Sequence, residues 1–231
     1  MDNKIEKKYS FNNQGLIIAV LIIIVWALLI FYNLNQTINY KNPITYLTFF
    51  LQIHLFTGLF ITAHDSMHNS LSTNRFINDF IGKLCLNLFV FNSYKLLKPK
   101  HFSHHRYVAT NDDPDYYDGN FFIWYYSFLK HYISLKQIIL AAILFNVLCL
   151  FFNRENVLIY WALPSILSTF QLFYFGTYIP HKGLHDKDNF HKSHTLKKNH
   201  LYAFISCYFF GYHYEHHDSP KTPWWGLYRL K

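Results

Sequence analysis

The chain has 231 residues, 52% hydrophobic and 21% aromatic, with 15% charged and a formal charge of +8. Soluble domains carry about 25% charged residues, so an ordinary soluble domain is excluded, while a mean hydropathy of +0.03 excludes a chain that is membrane throughout. No basic stripe with interleaved stacking aromatics supports a nucleic-acid partner, and Cys85, Cys149 and Cys207 are too scattered for a disulfide framework.

Residues 16–32 form 17 uninterrupted apolar residues. At ~1.5 Å per residue this run is close to one bilayer core in length. Lys4, Lys7 and Lys8 precede it, as they would a signal peptide. The run exceeds an ordinary signal core and no A-x-A-like site follows, so it is expected to be retained as a span. Residues 44–63 read as a second span, opened by Pro43 in a first-turn position and continuing as helix beyond the membrane. The stretches 80–91, broken by Lys83, and 121–129, rich in aromatic residues, are too short or interrupted to span. With 201–210 they read as interfacial or re-entrant helices. Residues 138–152 and 157–179 give a third and a fourth span, the last tolerating Pro164. The expectation is one domain over residues 1–231, an all-α integral membrane protein with about four spans in two hairpins.

The links 33–42 and 153–156 hold only Lys41 and Arg154 as basic residues, against three lysines in the tail. The positive-inside rule then puts both links outside and the N-terminus in the cytoplasm. The segments 65–137 and 180–231 follow on the cytoplasmic side.

Those two segments and the end of the second span carry three histidine blocks: HDSMH at 64–68, HFSHH at 101–105 and HYEHH at 213–217. Imidazole is the commonest protein metal ligand. His64, His68, His101, His104, His105, His213, His216 and His217 are too many for one four-coordinate ion, so two metal ions are implied. Spacings of three and four put His64 with His68, and His101 with His104 and His105, on one helix side. His213, His216 and His217 repeat that arrangement. His181, at the cytoplasmic end of the fourth span, mirrors His64 and is read as a ninth ligand. His54 reads as a buried hydrogen-bonded residue and His131 as interfacial. His185, His191, His194 and His200 read as residues of a solvated loop. Ligand histidines donate their outer N–H to carboxylates or carbonyls. Among nearby acids Asp65 and Asp115 are favoured for this, while Asp112 and Asp113 lie in the turn sequence NDDPD.

The pattern HxxxH, HxxHH, HxxHH resembles the membrane-bound di-iron superfamily of fatty-acid desaturases, hydroxylases and carotenoid oxygenating enzymes. HDSMH, NDDPDYYDGNFFIWYYSF, LFYFGTYIPH and FGYHYEHHDSPKTPWW look like the bacterial and cyanobacterial beta-carotene ketolases, over residues 60–225. Ser66 stands where that family usually has alanine, the end WWGLYRLK lacks the expected proline after the tryptophan pair, and residues 182–199 match poorly. The resemblance implies a cytoplasmic histidine-rich di-iron cap holding two non-haem irons through the eight block histidines and His181. It also implies dioxygen as co-substrate and conversion of beta-carotene to echinenone and canthaxanthin by two hydroxylations at ring position 4 and loss of water. A 3-hydroxylated carotenoid is a further implied substrate. A carotenoid taken from the bilayer lipid would pass Phe121, Phe122, Trp124, Tyr125, Phe173, Tyr174 and Phe175, which equally suit interfacial anchoring or helix packing. Electrons must come from an external donor, a ferredoxin-type protein approaching the basic face, because the chain has no GxGxxG, haem motif or cysteine cluster. The competing readings are a ring 3-hydroxylase or acyl desaturase with the same di-iron site, and a histidine-rich membrane metal carrier.

Overall fold

A computed structural model describes residues 14–231. The tail with Lys4, Lys7 and Lys8 lies outside the described residues. Every regular element among those described is helical. The helices are α1 (Gln14–Leu34), α2 (Pro43–Met67), α3 (Arg75–Leu88), α4 (Tyr94–Tyr107), α5 (Phe121–Tyr132), α6 (Leu135–Phe151), α7 (Arg154–His181), α8 (His200–Cys207) and α9 (His213–Asp218), before a 3₁₀ segment, Trp224–Arg229.

Helices α1, α2 and α7 are long and apolar enough to cross a membrane. The expected third span is α6, which is joined to α5 through a bend of 86°; the pair adds a fourth crossing if it is one broken span. The bend has a local cause: α5 ends at Tyr132, and the Ser134 side chain accepts the N–H of Gln137 at 3.2 Å to start α6. Ile17, Leu21, Leu28 and Phe31 of α1 are exposed, as a lipid-facing surface requires. On α5, Phe122, Ile123 and Tyr126 face outward while Trp124 and Phe128 are buried.

Helix α7 runs through two prolines, each preceded by a π turn, Leu158–Ala162 before Pro164 and Tyr174–Tyr178 before Pro180. Proline lacks an N–H and its ring crowds the preceding turn, and the extra residue of a π turn relieves that crowding. Helices α2 and α7 pack together, with Thr57 Oγ1 donating to Gln171 Oε1 at 2.5 Å. Both start at the two links, which are tied to each other: Asn156 Nδ2 donates to the carbonyls of Asn33 at 2.8 Å and Gln36 at 2.6 Å, and Tyr40 donates to Glu155 at 2.6 Å. The two helices therefore run the same way and deliver His64 and His181 at the end far from the links.

Helix α3 lies against the last turns of α2. Ser66 Oγ donates to the Ala63 carbonyl at 2.6 Å and sits 3.1 Å from the Tyr94 hydroxyl, which donates to Asp79 at 2.9 Å. Lys98 completes this chain at 3.0 Å from Asp79. Ser66 thus joins α2, α3 and α4 through a buried hydroxyl.

Candidate metal centre

Four short pieces of chain deliver the histidines. His64 lies in the last turns of α2 and His68 caps it. His101, His104 and His105 close α4, His181 ends α7, and α9 is built from the third block. Their rings sort into two groups. His64, His68, His101, His105 and His216 form one; His104, His181, His213 and His217 form the other. Within each group one nitrogen per ring lies within 4.8 Å of all the others.

The sorting differs from the expectation that all three rings of a block share one side. At 100° per residue, positions i and i+4 differ by about 40° around the helix axis, but i+3 is swung the other way. His101 and His105 therefore stay together while His104 turns to the second group. In α9, His213 and His217 stay together while His216 turns to the first.

The nitrogens face one another. His68 Nε2 lies 2.6 Å from His101 Nε2, and His105 Nε2 lies 3.1 Å from His216 Nε2. In the second group His217 Nε2 is 3.1 Å from His104 Nε2 and 3.0 Å from His213 Nε2. Both nitrogens of His64 and Nε2 of His181 are buried with no hydrogen-bond partner among the described residues. Burial pushes the His68 imidazole down to about 4 and that of His105 down to about 2. Burial also holds His101, His213, His216 and His217 well below the ordinary imidazole range. Clustered neutral imidazoles with inward lone pairs repel each other unless a cation sits between them. The donor set fits two metal ions.

Two rings of the second group have their tautomer set from outside. His104 Nδ1 meets Asp113 Oδ1 at 2.9 Å and lies 3.9 Å from Asp115 Oδ2. Burial disfavours the imidazolium there, but the Asp115 and Asp113 carboxylates outweigh it and hold His104 above its ordinary range. His181 Nδ1 donates to the carbonyl of Lys192 at 2.8 Å. Asp65 Oδ2 accepts the Trp224 N–H at 2.9 Å, and its Oδ1 lies 3.5 Å from His64 Nδ1. Sequence reasoning counts Asp113 among the nearby acids but favours Asp65 and Asp115, because NDDPD is turn chemistry. The Asp113 carboxylate serves both turn and imidazole, since it also accepts the N–H groups of Ala109 and Asp115 at 2.9 Å each.

The remaining histidines join neither group. His54 stacks on Tyr208 with centroids 4.2 Å apart, and His131 Nδ1 lies 2.9 Å from the Ser127 carbonyl. The His185 and His194 rings lie 4.3 Å apart with planes tilted by 33°, and the Tyr212 hydroxyl meets His200 Nδ1 at 3.0 Å. His191 comes nearest, with its ring 5.8 Å from that of His217 and Nε2 3.5 Å from Asp218.

A mostly apolar cavity lies against both groups. His64 and His101 of the first group line it, as do His104 and His213 of the second. Its aromatic wall includes Phe60, Phe89, Phe128, Tyr132 and Phe210, with Asp115, Gln137 and Thr177 among its polar residues. None of Phe121, Phe122, Trp124, Tyr125, Phe173, Tyr174 and Phe175 lines it. Phe121 packs on Tyr178 at 4.8 Å and Tyr125 on Phe173 at 5.0 Å, bracing α5 against α7. Trp124 Nε1 donates to the Asp115 carbonyl at 2.6 Å, Phe122 is exposed, and Phe175 rests on Tyr174.

A family profile for fatty acid desaturases matches residues 41–139 and 130–231. The chain belongs to the fatty acid desaturase family. Within that family it is 36% identical over 232 residues to the zeaxanthin 4-ketolase of Chlamydomonas reinhardtii, covering 92% of this chain and 52% of that protein. The beta-carotene 4-ketolase of Protosiphon botryoides is 34% identical over 255 residues, covering 97% and 66%. The beta-carotene ketolase of Paracoccus sp. strain N81106 is 36% identical over 225 residues, covering 95% and 93%. This desaturase-family chain thus spans 52% and 66% of the first two relatives and nearly all of the third. No solved structure matches it.

Proposed function

We propose that the protein is a beta-carotene ketolase that oxidises position 4 of beta-ionone rings, giving echinenone and then canthaxanthin. One observation carries the reading: the apolar cavity opens onto both histidine groups. A hydrocarbon ring seated there would have its oxidisable carbon beside the metal centre. Two irons are the metals proposed, one held by His64, His68, His101, His105 and His216, the other by His104, His181, His213 and His217. When bound, two irons supply the activation of dioxygen needed to hydroxylate an allylic carbon. The chain's own residues supply the rest. Phe60, Phe89, Phe128 and Phe210 would hold the ring and exclude water from it. Asp113 would hold the Nδ1 proton of His104, keeping its Nε2 lone pair inward, with the Asp115 carboxylate 3.9 Å away adding charge. Asp65, which accepts the Trp224 N–H, would lie beside His64 with Oδ1 3.5 Å from Nδ1. Two hydroxylations at one carbon give a geminal diol, which loses water to leave the ketone.

The same reading sets four crossings, counting α5–α6 as one, in a bacterial cytoplasmic membrane, with the N-terminus and the histidines on the cytoplasmic side. The carotenoid would arrive from the lipid, and electrons from a ferredoxin-type donor. Expression in cells that accumulate beta-carotene, with separation of the pigments, tests the proposal. Echinenone and canthaxanthin are expected. Zeaxanthin would instead indicate a ring 3-hydroxylase, and unchanged pigment would exclude both.

A further inference from the structure

Residues 182–199 join the end of α7 to α8, and one backbone position in this loop touches the metal centre. Lys192 sits at φ 40°, in the left-handed region that side chains other than glycine rarely adopt. A tight turn holds it there. The Lys192 N–H donates to the Asn189 carbonyl at 3.0 Å, Asn189 Nδ2 donates to the Ser193 carbonyl at 2.9 Å, and the Ser193 N–H donates to Asn189 Oδ1 at 3.3 Å. The His194 N–H then donates to the Pro180 carbonyl at 2.7 Å, pinning the loop back onto the end of α7.

The turn aims the Lys192 carbonyl at His181, whose Nδ1 lies 2.8 Å away. A carbonyl oxygen only accepts, so Nδ1 must carry the proton and Nε2 must keep its lone pair. That Nε2 is buried, has no hydrogen-bond partner among the described residues, and converges with His104, His213 and His217. The Lys192 side chain is exposed. The main chain makes the contact.

We infer that the Asn189–Lys192 turn is a positioning device for the second histidine group, fixing the tautomer and direction of His181 through a carbonyl held in left-handed backbone. His181 is the last residue of α7, so its own helix constrains it from one side only. Among the described residues, no histidine of the first group hydrogen-bonds to this loop, so the effect is expected at one of the two ions. The inference rests on the proposed two-ion centre.

The test uses the full chain in detergent, loaded with ferrous iron and then dialysed against a chelator, with iron per chain measured. Cobalt(II) titration followed by visible absorption gives a second readout of site geometry. Wild type is expected to keep two irons. Lys192→Pro fixes φ near −65° and removes the N–H that closes the turn, and Asn189→Ala removes the side-chain clip. Each is expected to hold the second ion about 10–100-fold more weakly, leaving one iron per chain. Lys192→Gly suits a positive φ and should keep both ions, rescuing what proline loses. Where Lys192→Pro fails to elute with wild type, Asn189→Ala decides. Two irons held as tightly as wild type in Asn189→Ala would overturn the positioning role. So would Lys192→Gly losing an ion as Lys192→Pro does. Fewer than two irons in wild type itself would overturn the two-ion reading as well, a result distinct from failure of the turn alone.

Discussion

His104 and His105 are adjacent in the chain and serve different histidine groups. Their ring centroids lie 5.8 Å apart with planes at 70°. His104 Nε2 faces His217, and His105 Nε2 faces His216, each at 3.1 Å. His216 and His217 are adjacent as well. Helices α4 and α9 therefore each contribute to both groups, and the spacing of the groups is fixed by the turn of two short helices.

Losing one ring from either group should stop the reaction. His104→Ala removes a ligand from the second group and His216→Ala one from the first. Both variants are expected to reach the membrane in normal amounts and form no keto pigment, measured by pigment separation and immunoblotting of membranes. Residual product above a few per cent of wild type in either would argue that its group is not part of the centre.

Asp113 and Asp115 compete for the role of holding His104. Asp113→Asn replaces the nearer acceptor with an amide that can offer an N–H, so it should weaken the hold on one ion about 10–100-fold. Asp115→Asn, at the longer 3.9 Å contact, should do less. Iron retention against a graded chelator ranks them, and a larger loss in Asp115→Asn would reverse the assignment.

The cavity can be filled without touching a histidine. A Cβ on Gly176 would meet only Phe210 Cδ1, at 3.6 Å, which is ordinary contact. Gly176→Ala should be tolerated, whereas Gly176→Leu should occupy the space and cut keto-pigment formation severely while iron per chain stays at the wild-type value. Unchanged product in Gly176→Leu would place the substrate elsewhere.

Helix α1 approaches the chain just after α2 with no room to spare. A Cβ on Gly15 would lie 2.5 Å from the Leu71 carbonyl oxygen and 2.8 Å from its Cα, both backbone atoms that cannot move aside. Gly15→Ala should destabilise the fold by about 1–3 kcal/mol, read as earlier loss of structure on heating in detergent. An unchanged midpoint would mean that α1 shifts freely.

Much of this arrangement is legible in the sequence because it rests on local periodicity. The apolar runs mark α1, α2 and α7, and the i, i+4 spacing of His64 and His68 marks the helix that carries them. The division of the blocks between two groups also follows from spacing, because i+3 and i+4 lie about 100° apart around a helix, but reading each block as one-sided passes over it. Asp113 is hidden because its turn role alone accounts for NDDPD. The cavity wall is hidden because Phe60, Phe89, Phe128 and Phe210 come from separate elements, whereas Phe121 to Tyr125 form a conspicuous run that packs elsewhere. Lys192 acts through its carbonyl, which every residue type has, so no side-chain pattern could mark it.

The most direct measurement is iron per chain in purified protein, made together on wild type, His105→Ala and His181→Ala. The account predicts two tightly held irons in wild type and one in each variant. A single iron in wild type, or readily exchanged zinc in place of iron, would contradict it.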